Sequence, residues 1–302
     1  MFHQTNDAEL FKTPDDLQAL GCRAVGNRWI GDGRTFLPLY EAKMIQAYDH
    51  RAASVVLAEG NWVRQGQTEP SSLVQHQNPE FVALPRWWVE DREVDRLLGE
   101  TARNAYLSFK DVTSATNERT MIAAWIPHVA VVNSAPVLLT DAAITPCLAC
   151  CLLANLNSIG LDYVARQKVG GNHLNYFIVN QLPIFPPEHY AQRCPWDKGR
   201  TLETWISERV LKLTCTANDL RPLAEEAGLD PPIHKWMPAE RAEINAELDA
   251  AFFLLYGVTR TDAEYVLSTF RGMKADAQTT FGVPPRLRLI LETYDQLAER
   301  AE

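Results

Sequence analysis

Two polar segments near the middle of the chain carry side chains suited to contacts with nucleic acid. The first covers residues 165–176 and places Arg166 and Lys168 ahead of a diglycine, with Asn172 and His173 behind it. Cations can neutralise phosphates, and amides can hydrogen-bond to base edges. Glycine lets the backbone approach a ligand closely. The composition therefore suits a DNA-contacting loop, and a plain exposed connection fits it at least as well.

The second polar segment, residues 111–120, reads DVTSATNERT and comes just before a long uncharged stretch. Its hydroxyl groups, together with Asn117 and Arg119, are of the kinds that contact phosphates. Segments rich in Ser, Thr and Asn are also common as turns, because their side chains hydrogen-bond to nearby backbone. Both interpretations stay open from the sequence.

A third pattern suggests metal-dependent hydrolysis. Nucleases of the PD-(D/E)xK kind use an acid followed by Glu-x-Lys on the next strand to hold a cation and activate water. Asp32, Glu41 and Lys43 fit this order if residues 36–43 form one strand, since alternate residues share a face. Against it, Asp32 belongs to a predicted Asp-Gly turn, and short patterns of this kind arise by chance.

Two further motifs are interpreted structurally. The tetrapeptide Asn78-Pro79-Glu80-Phe81 is similar to the Asn-Pro-Pro-aromatic motif with which amino-methylating DNA methyltransferases hold a flipped base. Glutamate replaces the second proline, and the chain has no glycine-rich turn after a strand for S-adenosylmethionine. The tetrapeptide is therefore predicted to be a turn. The Cys147-x-x-Cys150-Cys151 group lacks a second ligand pair for zinc and is predicted to pack in the core.

Composition limits the class of protein. The chain has 302 residues, of which 46% are hydrophobic and 22% charged, and this is typical of about two globular domains. We expect no disulfide framework, no signal peptide and no transmembrane segment, and so a cytoplasmic protein. The net charge is -9, but residues 101–200 carry eight basic and six acidic side chains. A polyanion would therefore be contacted through the middle third.

Hydrophobic periodicity and capping signals predict an α+β protein. The domains are expected to be a lead-in helix with loops over 1–36, a β-rich domain with inserted helices over 37–198, and a helical region over 199–302. Strands are predicted at 28–40, on both sides of Pro127-His128 and at 177–179. Helices are predicted at 13–20, 90–101, 145–157, 202–220, 240–256, from a capping box at 261–264, and at 286–301.

Several long segments are similar to the C-terminal half of Eco57I-type restriction–modification adenine DNA methyltransferases. The segments that carry the resemblance are LPLYEAKMIQAYDHRAA (37–53), QNPEFVALPRWWV (77–89), FKDVTSATNERTMIAAWIP (109–127), LLANLNSIGLDYVARQKVGGNHLNYFIVNQLPIFPP (152–187) and AELDAAFFLLYGVTRTDAEYVLSTF (246–270). In that family this half acts as the target-recognition domain, and it resembles the specificity domains of TaqI-like methyltransferases and Type I specificity subunits.

The resemblance implies a function in DNA target recognition. The catalytic half would precede Met1, so the chain is expected to be a fragment or a separate specificity polypeptide without catalytic or metal-binding residues. Its expected partners are double-stranded DNA and a methyltransferase catalytic domain or subunit, which would hold the S-adenosylmethionine. By matching segments, the resemblance assigns DNA contacts to Arg166, Lys168, Asn172 and His173, then to Asn117 and Arg119, and then to Lys43, His50 and Arg51.

Two alternatives from other classes remain. The first is the metal-dependent nuclease built on Asp32, Glu41 and Lys43. The second is a scaffold subunit without DNA contact, in which the acidic helical tail binds another subunit, and the overall charge of -9 keeps this interpretation open.

Overall fold

A computed structural model describes residues 1–56, 67–141, 143–275 and 285–302. The chain divides into two compact units, each assembled from separate stretches of sequence. Unit 1 comprises Met1–Asp111, Ala123–Ala143 and Thr214–His234, and unit 2 comprises Val112–Ile122, Ile144–Leu213 and Lys235–Glu302. This division differs from the sequence-based boundaries at 36/37 and 198/199.

Helices and strands are distributed unevenly along the chain. The described α-helices are α1 (Pro14–Ala19), α2 (Leu73–Gln77), α3 (Asp91–Leu98), α4 (Pro146–Asn157), α5 (Ile159–Lys168), α6 (Tyr176–Val179), α7 (Leu202–Thr214), α8 (Arg221–Glu226), α9 (Pro238–Leu255), α10 (Arg260–Ser268), α11 (Arg271–Ala275) and α12 (Arg286–Ala301). The described strands are β1 (Arg23–Val25), β2 (Arg28–Gly31), β3 (Arg34–Tyr40), β4 (Ala53–Val56), β5 (Gln67–Pro70), β6 (Trp88–Glu90), β7 (Ala105–Phe109), β8 (Ala123–Pro127), β9 (Ala130–Val131), β10 (Val137–Leu138), β11 (Arg193–Cys194) and β12 (Asp197–Thr201).

The predicted α+β class is confirmed. The structure contains 45% helix and 19% strand, with several small antiparallel sheets and a C-terminal helical region. Segregated strands and helices of this kind give an α+β architecture, because strands that follow one another with short connections pair antiparallel.

Unit 1 contains the strands β1 to β10. Four of them form an antiparallel path in the order β1-β2-β3-β6, and β9 pairs parallel with β3. Asp32 and Gly33 join β2 to β3 with φ of 51° and 70°, which confirms the predicted Asp-Gly turn. Strands β8 and β9 also occur on either side of Pro127-His128, as predicted. Leu39 of β3 and Val131 of β9 lie in the core of this unit.

Unit 2 is mainly helical. Thr145 caps α4 by accepting a hydrogen bond from the Leu148 amide, and Pro146 occupies the first helical position, as predicted. Cys150 and Cys151 are buried on this helix. Helix α5 follows after Ser158, which caps it in turn. The cysteine group therefore contributes to core packing, and burial raises the pKa of the Cys151 thiol well above its usual range.

The strand prediction at 177–179 is wrong, since this segment is helix α6. The Asn175 side chain accepts a hydrogen bond from the Ile178 amide and so caps a helical turn. Asparagine is a strong N-cap residue, and its capping bond outweighs the β propensity of the apolar residues that follow.

Two helix predictions require correction in their extent. The periodic segment 202–220 is not one helix, because α7 ends at Thr214 and the chain from Thr214 to His234 belongs to unit 1. Helix α10 is capped by Thr259 rather than Thr261, since Thr259 accepts the hydrogen bond from the Asp262 amide. The periodicity over 202–220 continued past the end of α7, and the capping box at 261–264 placed the start of α10 two residues too late.

Among the described residues, no single helix combines the length and apolar character needed to cross a bilayer. Helices α4 and α5 reach that length and composition only when taken as a pair, and they are bent by 59° relative to each other.

Candidate nucleic-acid interface

In unit 2, the two predicted DNA-contacting segments lie side by side. Val112 forms an isolated antiparallel bridge with His173, and the Thr113 amide donates to the Asn172 carbonyl at 3.0 Å. Leu174, directly after His173, is fully buried and anchors the loop. The fold thus brings residues 112–120 and 166–175 together, although they are about 50 positions apart in sequence.

Asp162 holds these two segments in place from the interior. Its carboxylate side chain is 0% exposed and accepts hydrogen bonds from the Thr120 amide at 3.0 Å and the Met121 amide at 2.8 Å. The same carboxylate forms an ion pair with Arg119, whose Nε lies 3.0 Å from Oδ2. Arg166, one helical turn after Asp162, lies with its Nε 3.9 Å from this oxygen. Asp162 therefore connects α5 to the 112–120 segment through both backbone and side chains.

The side chains of Arg119 and Arg166 are mostly buried and bind other groups of unit 2. The Arg119 guanidinium also donates to the Asn157 carbonyl. The Arg166 guanidinium donates to the Asn117 carbonyl at 2.8 Å and to the Glu118 carbonyl, and it lies 3.9 Å from the centre of the Phe270 ring. Burial lowers the pKa of Arg166, and the negative charge of Asp162 opposes that shift. Their observed partners give these two arginines a supporting role.

The remaining predicted residues of this pair of segments are exposed: Asn117, Lys168, Asn172 and His173. The Lys168 ammonium lies 3.4 Å from the Gln181 amide oxygen, which is a weak contact. The stretch from 163 to 187 contains no Asp or Glu at all, in a chain that carries 38 acidic residues. The local charge along residues 163–187 therefore favours an anionic ligand, in contrast to the average of the chain. In the neighbouring segment, the exposed carboxylate of Glu118 lies 3.8 Å from the Arg286 guanidinium.

Lys43, His50 and Arg51 belong to unit 1, whereas the segments just described belong to unit 2. Lys43 forms an ion pair at 3.0 Å with Glu41. The His50 ring is buried and its Nε2 lies 2.9 Å from Asp219 Oδ1. Burial by itself would raise the pKa of Asp219, but the charge and hydrogen bond of His50, together with Arg51, hold it below its usual value.

Arg51 is completely buried and serves as a central hydrogen-bond donor of unit 1. Its guanidinium donates to the carbonyls of Asn78, Phe81, His76 and Thr216 at 2.8–3.2 Å. A DNA contact by Arg51 would require these four bonds to break. The structure thus places this predicted contact residue in the interior, where its fork of donors joins distant parts of the unit.

The NPEF tetrapeptide is confirmed as a turn. The Phe81 amide donates to the Asn78 carbonyl at 3.1 Å, and the Asn78 side chain accepts from the Glu80 amide at 3.0 Å. The carbonyls of Asn78 and Phe81 are both bound by Arg51. The Asn78 side-chain oxygen therefore stabilises the turn itself.

The geometry needed for the nuclease alternative is not formed as predicted. Strand β3 ends at Tyr40, and Ala42–Met44 is a 3-10 helix, so residues 36–43 are not one strand. Asp32 lies in the turn with its side chain 87% exposed, 3.9 Å from Arg34. In the part of the chain that the structure describes, no three acidic, histidine or cysteine side chains are grouped so that they could hold a metal ion.

Burial shifts the pKa of Lys110 in unit 1, and the pH dependence of stability tests this shift. Burial lowers the pKa of Lys110 to about 8, and the charge of Asp49 opposes the shift. Between pH 8 and the ordinary value of 10.5, the unfolded chain holds this proton and the folded chain does not, so stability rises with pH. We expect Lys110→Met to remove that rise. The measurement is the urea midpoint of wild type and of the variant at pH 8 and at pH 10.5, compared as the change between the two pH values. The exposed Lys198→Met is the control, and equal pH slopes for wild type and K110M would contradict the prediction.

Sequence reasoning missed the residue that holds the two segments of the candidate interface together. Asp162 is the only charged residue between Thr145 and Ala165, a stretch that is otherwise apolar or uncharged. A single acid within a buried helix needs a cationic or hydrogen-bonding partner, and this rule could have drawn attention to it. Asp219 carries no comparable signal, because it follows the polar residues Thr216 and Asn218 in the sequence.

Comparison of the chain with protein-family models, with curated proteins and with solved structures gives no match in any of the three.

Proposed function

We propose that this chain is a DNA target-recognition polypeptide for an adenine-specific DNA methyltransferase of a restriction–modification or phage-defence system. It acts in the cytoplasm and does not catalyse methyl transfer alone. A catalytic domain or subunit binds S-adenosylmethionine and receives the flipped adenine, while this chain selects the sequence around it.

The observation that supports this proposal is the segment at residues 167–177, which is exposed except at Val169 and Leu174. It presents Lys168, Asn172 and His173 on an anchored backbone, within 25 consecutive residues that contain no carboxylate. DNA recognition needs such a surface, because cations position the backbone and amides distinguish base edges. The resemblance of residues 37–270 to the recognition half of the methyltransferases points to the same function.

Within the proposal, the exposed residues make the contacts and the buried ones hold them in place. Lys168 neutralises a phosphate, and Asn172, His173 and Asn117 contact base edges or further phosphates. Arg119 and Arg166 keep the two segments in register through Asp162. Preorganised side chains lose less entropy on binding, and this favours affinity.

Replacing Lys168 with alanine tests the proposal. Each neutralised phosphate contributes a slope of about -0.9 to the dependence of log affinity on log salt. We expect Lys168→Ala to weaken binding to a randomised duplex pool and to reduce the magnitude of the salt slope by about 1. The measurement is fluorescence anisotropy at about 50 and 200 mM salt, a range over which phosphate-driven binding changes steeply.

The matched control is Lys198→Ala, which removes an exposed lysine from β12 of the same unit. Its affinity and salt slope should equal those of wild type. If the wild-type chain fails to bind duplex DNA at low salt, both alone and with its catalytic partner, the proposed function is wrong. Tight association with another subunit under those conditions would then favour the scaffold interpretation.

A further inference from the structure

An aromatic side chain projects from the candidate interface without burial. Phe177 is 75% exposed and Tyr176 beside it is 49% exposed, whereas Val179 on the same helical turn is buried. Exposed phenylalanine in a folded unit leaves a large apolar surface in water. A ligand that packs against this ring would remove its apolar surface from water.

The backbone that carries Phe177 is firmly held. Leu174 before helix α6 and Leu182 after it are both buried. Asn175 caps the turn, and the Gln181 side-chain amide donates to the Phe177 carbonyl at 3.0 Å. The exposed ring therefore belongs to a turn whose backbone is already ordered. Ligand binding would not carry the entropy cost of ordering it.

The residues around Phe177 indicate which class of ligand would bind there. Lys168 is linked to the same turn through Gln181, whose oxygen lies 3.4 Å from the lysine Nζ. Residues 163–187 contribute positive charge and no carboxylate. An apolar ring with cationic and amide neighbours fits a ligand that combines phosphates with flat apolar faces, which describes DNA. A purely apolar protein surface would gain nothing from Lys168.

We propose that Phe177 inserts as a wedge at a base step of bound duplex DNA, with Tyr176 covering the adjoining sugar or base edge. This inference rests on the proposed function and adds the way in which the DNA is deformed. An apolar side chain that enters a base step partly unstacks it and bends the duplex, and flexible pyrimidine–purine steps yield most easily. The wedge would thereby contribute specificity at a step that no polar group reads.

The test begins with a duplex selected from the randomised pool by the wild-type chain, and then labelled with 2-aminopurine at successive steps. We expect wild type to increase the 2-aminopurine fluorescence at one step, since unstacking relieves its quenching. Phe177→Ala should abolish that increase and weaken binding by about tenfold, within the range measured for loss of one stacking side chain. The salt slope should not change, because no charge is removed.

Phe177→Leu and Val74→Ala are the controls. Leucine keeps an apolar wedge and should retain most of the fluorescence increase. Val74 is 77% exposed in unit 1 and its loss should alter neither signal. Because Phe177 is exposed, F177A should unfold at the wild-type temperature, which excludes loss of folding as the cause.

The outcomes separate this inference from the proposed function. If wild type binds DNA and F177A binds it equally well with the same fluorescence, the wedge is wrong and DNA recognition stands. If F177A binds DNA normally but loses a protein partner, the aromatic face belongs to that partner and the wedge is likewise wrong. If wild type binds no duplex under any condition, including with its catalytic partner, both proposals are overturned.

Discussion

Replacing Asp162 with alanine is expected to destabilise unit 2 by about 3–5 kcal/mol, the usual effect of removing one partner from a buried ion pair. The substitution leaves the mostly buried Arg119 and Arg166 without their anion, and it leaves the amides of Thr120 and Met121 without an acceptor. Each loss adds a desolvation penalty that the folded state no longer offsets. Urea unfolding followed by tryptophan fluorescence and circular dichroism measures the effect.

Asp295→Asn provides a matched control, because it breaks an Asp–Arg pair of the same unit that is exposed. Asp295 Oδ1 lies 2.9 Å from Arg260 Nε, with both side chains substantially in solvent. Such a pair is worth about 0–1 kcal/mol. Adding Arg119→Met to D162A should restore part of the stability, since an unpaired buried charge is removed. Equal stability of D162A and D295N would show that Asp162 does not organise this unit.

Replacing Arg51 with methionine is expected to destabilise unit 1 by about 3–5 kcal/mol, because each buried carbonyl left without a donor costs about 1–3 kcal/mol. Four carbonyl oxygens that now accept from the guanidinium would lose their donor inside the unit. These carbonyls belong to residues 76–81 and to Thr216, so the substitution also releases the segment that follows α7 from the rest of unit 1. Equilibrium unfolding in urea reports the free energy, and limited proteolysis between residues 214 and 234 reports the local release.

Two further variants serve as comparisons for Arg51→Met. Arg51→Lys should recover only part of the stability, because an ammonium cannot reproduce the planar fork of donors. Arg92→Met removes an arginine of α3 that is 72% exposed and pairs with Glu90, and it should change stability by less than about 1 kcal/mol. An R51M variant as stable as R92M would disprove the interior role of Arg51.

Local sequence signals predicted the elements whose hydrogen bonds are themselves local. Thr13-Pro14 begins α1, Thr145-Pro146 begins α4, and the Asp32-Gly33 turn joins β2 to β3. In each case the hydrogen bond or the positive φ involves residues no more than four positions apart. A short stretch of sequence is therefore enough to predict the helix start or the turn. The prediction at 177–179 was wrong because the capping bond of Asn175 was not weighed against β propensity.

The candidate site was only partly predictable. The polar segments at 112–120 and 165–176 could be found from composition, and the structure brings them together. Which of their arginines face solvent could not be found, because Asp162 pairs with Arg119 across 43 positions of sequence. An ion pair between distant residues leaves no periodicity in either segment.

The sequence by itself determined the α+β class, the positions of most helices and the two polar segments, because these depend on spacing and on side chains that act on their own backbone. Only the tertiary structure decided that Arg51 and Asp162 are interior, that the chain after α7 returns to unit 1, and that Phe177 is left in water. The physical reason is burial. Whether a charged or aromatic side chain is enclosed depends on segments that arrive from elsewhere in the chain, and on whether they supply the partners that offset its desolvation.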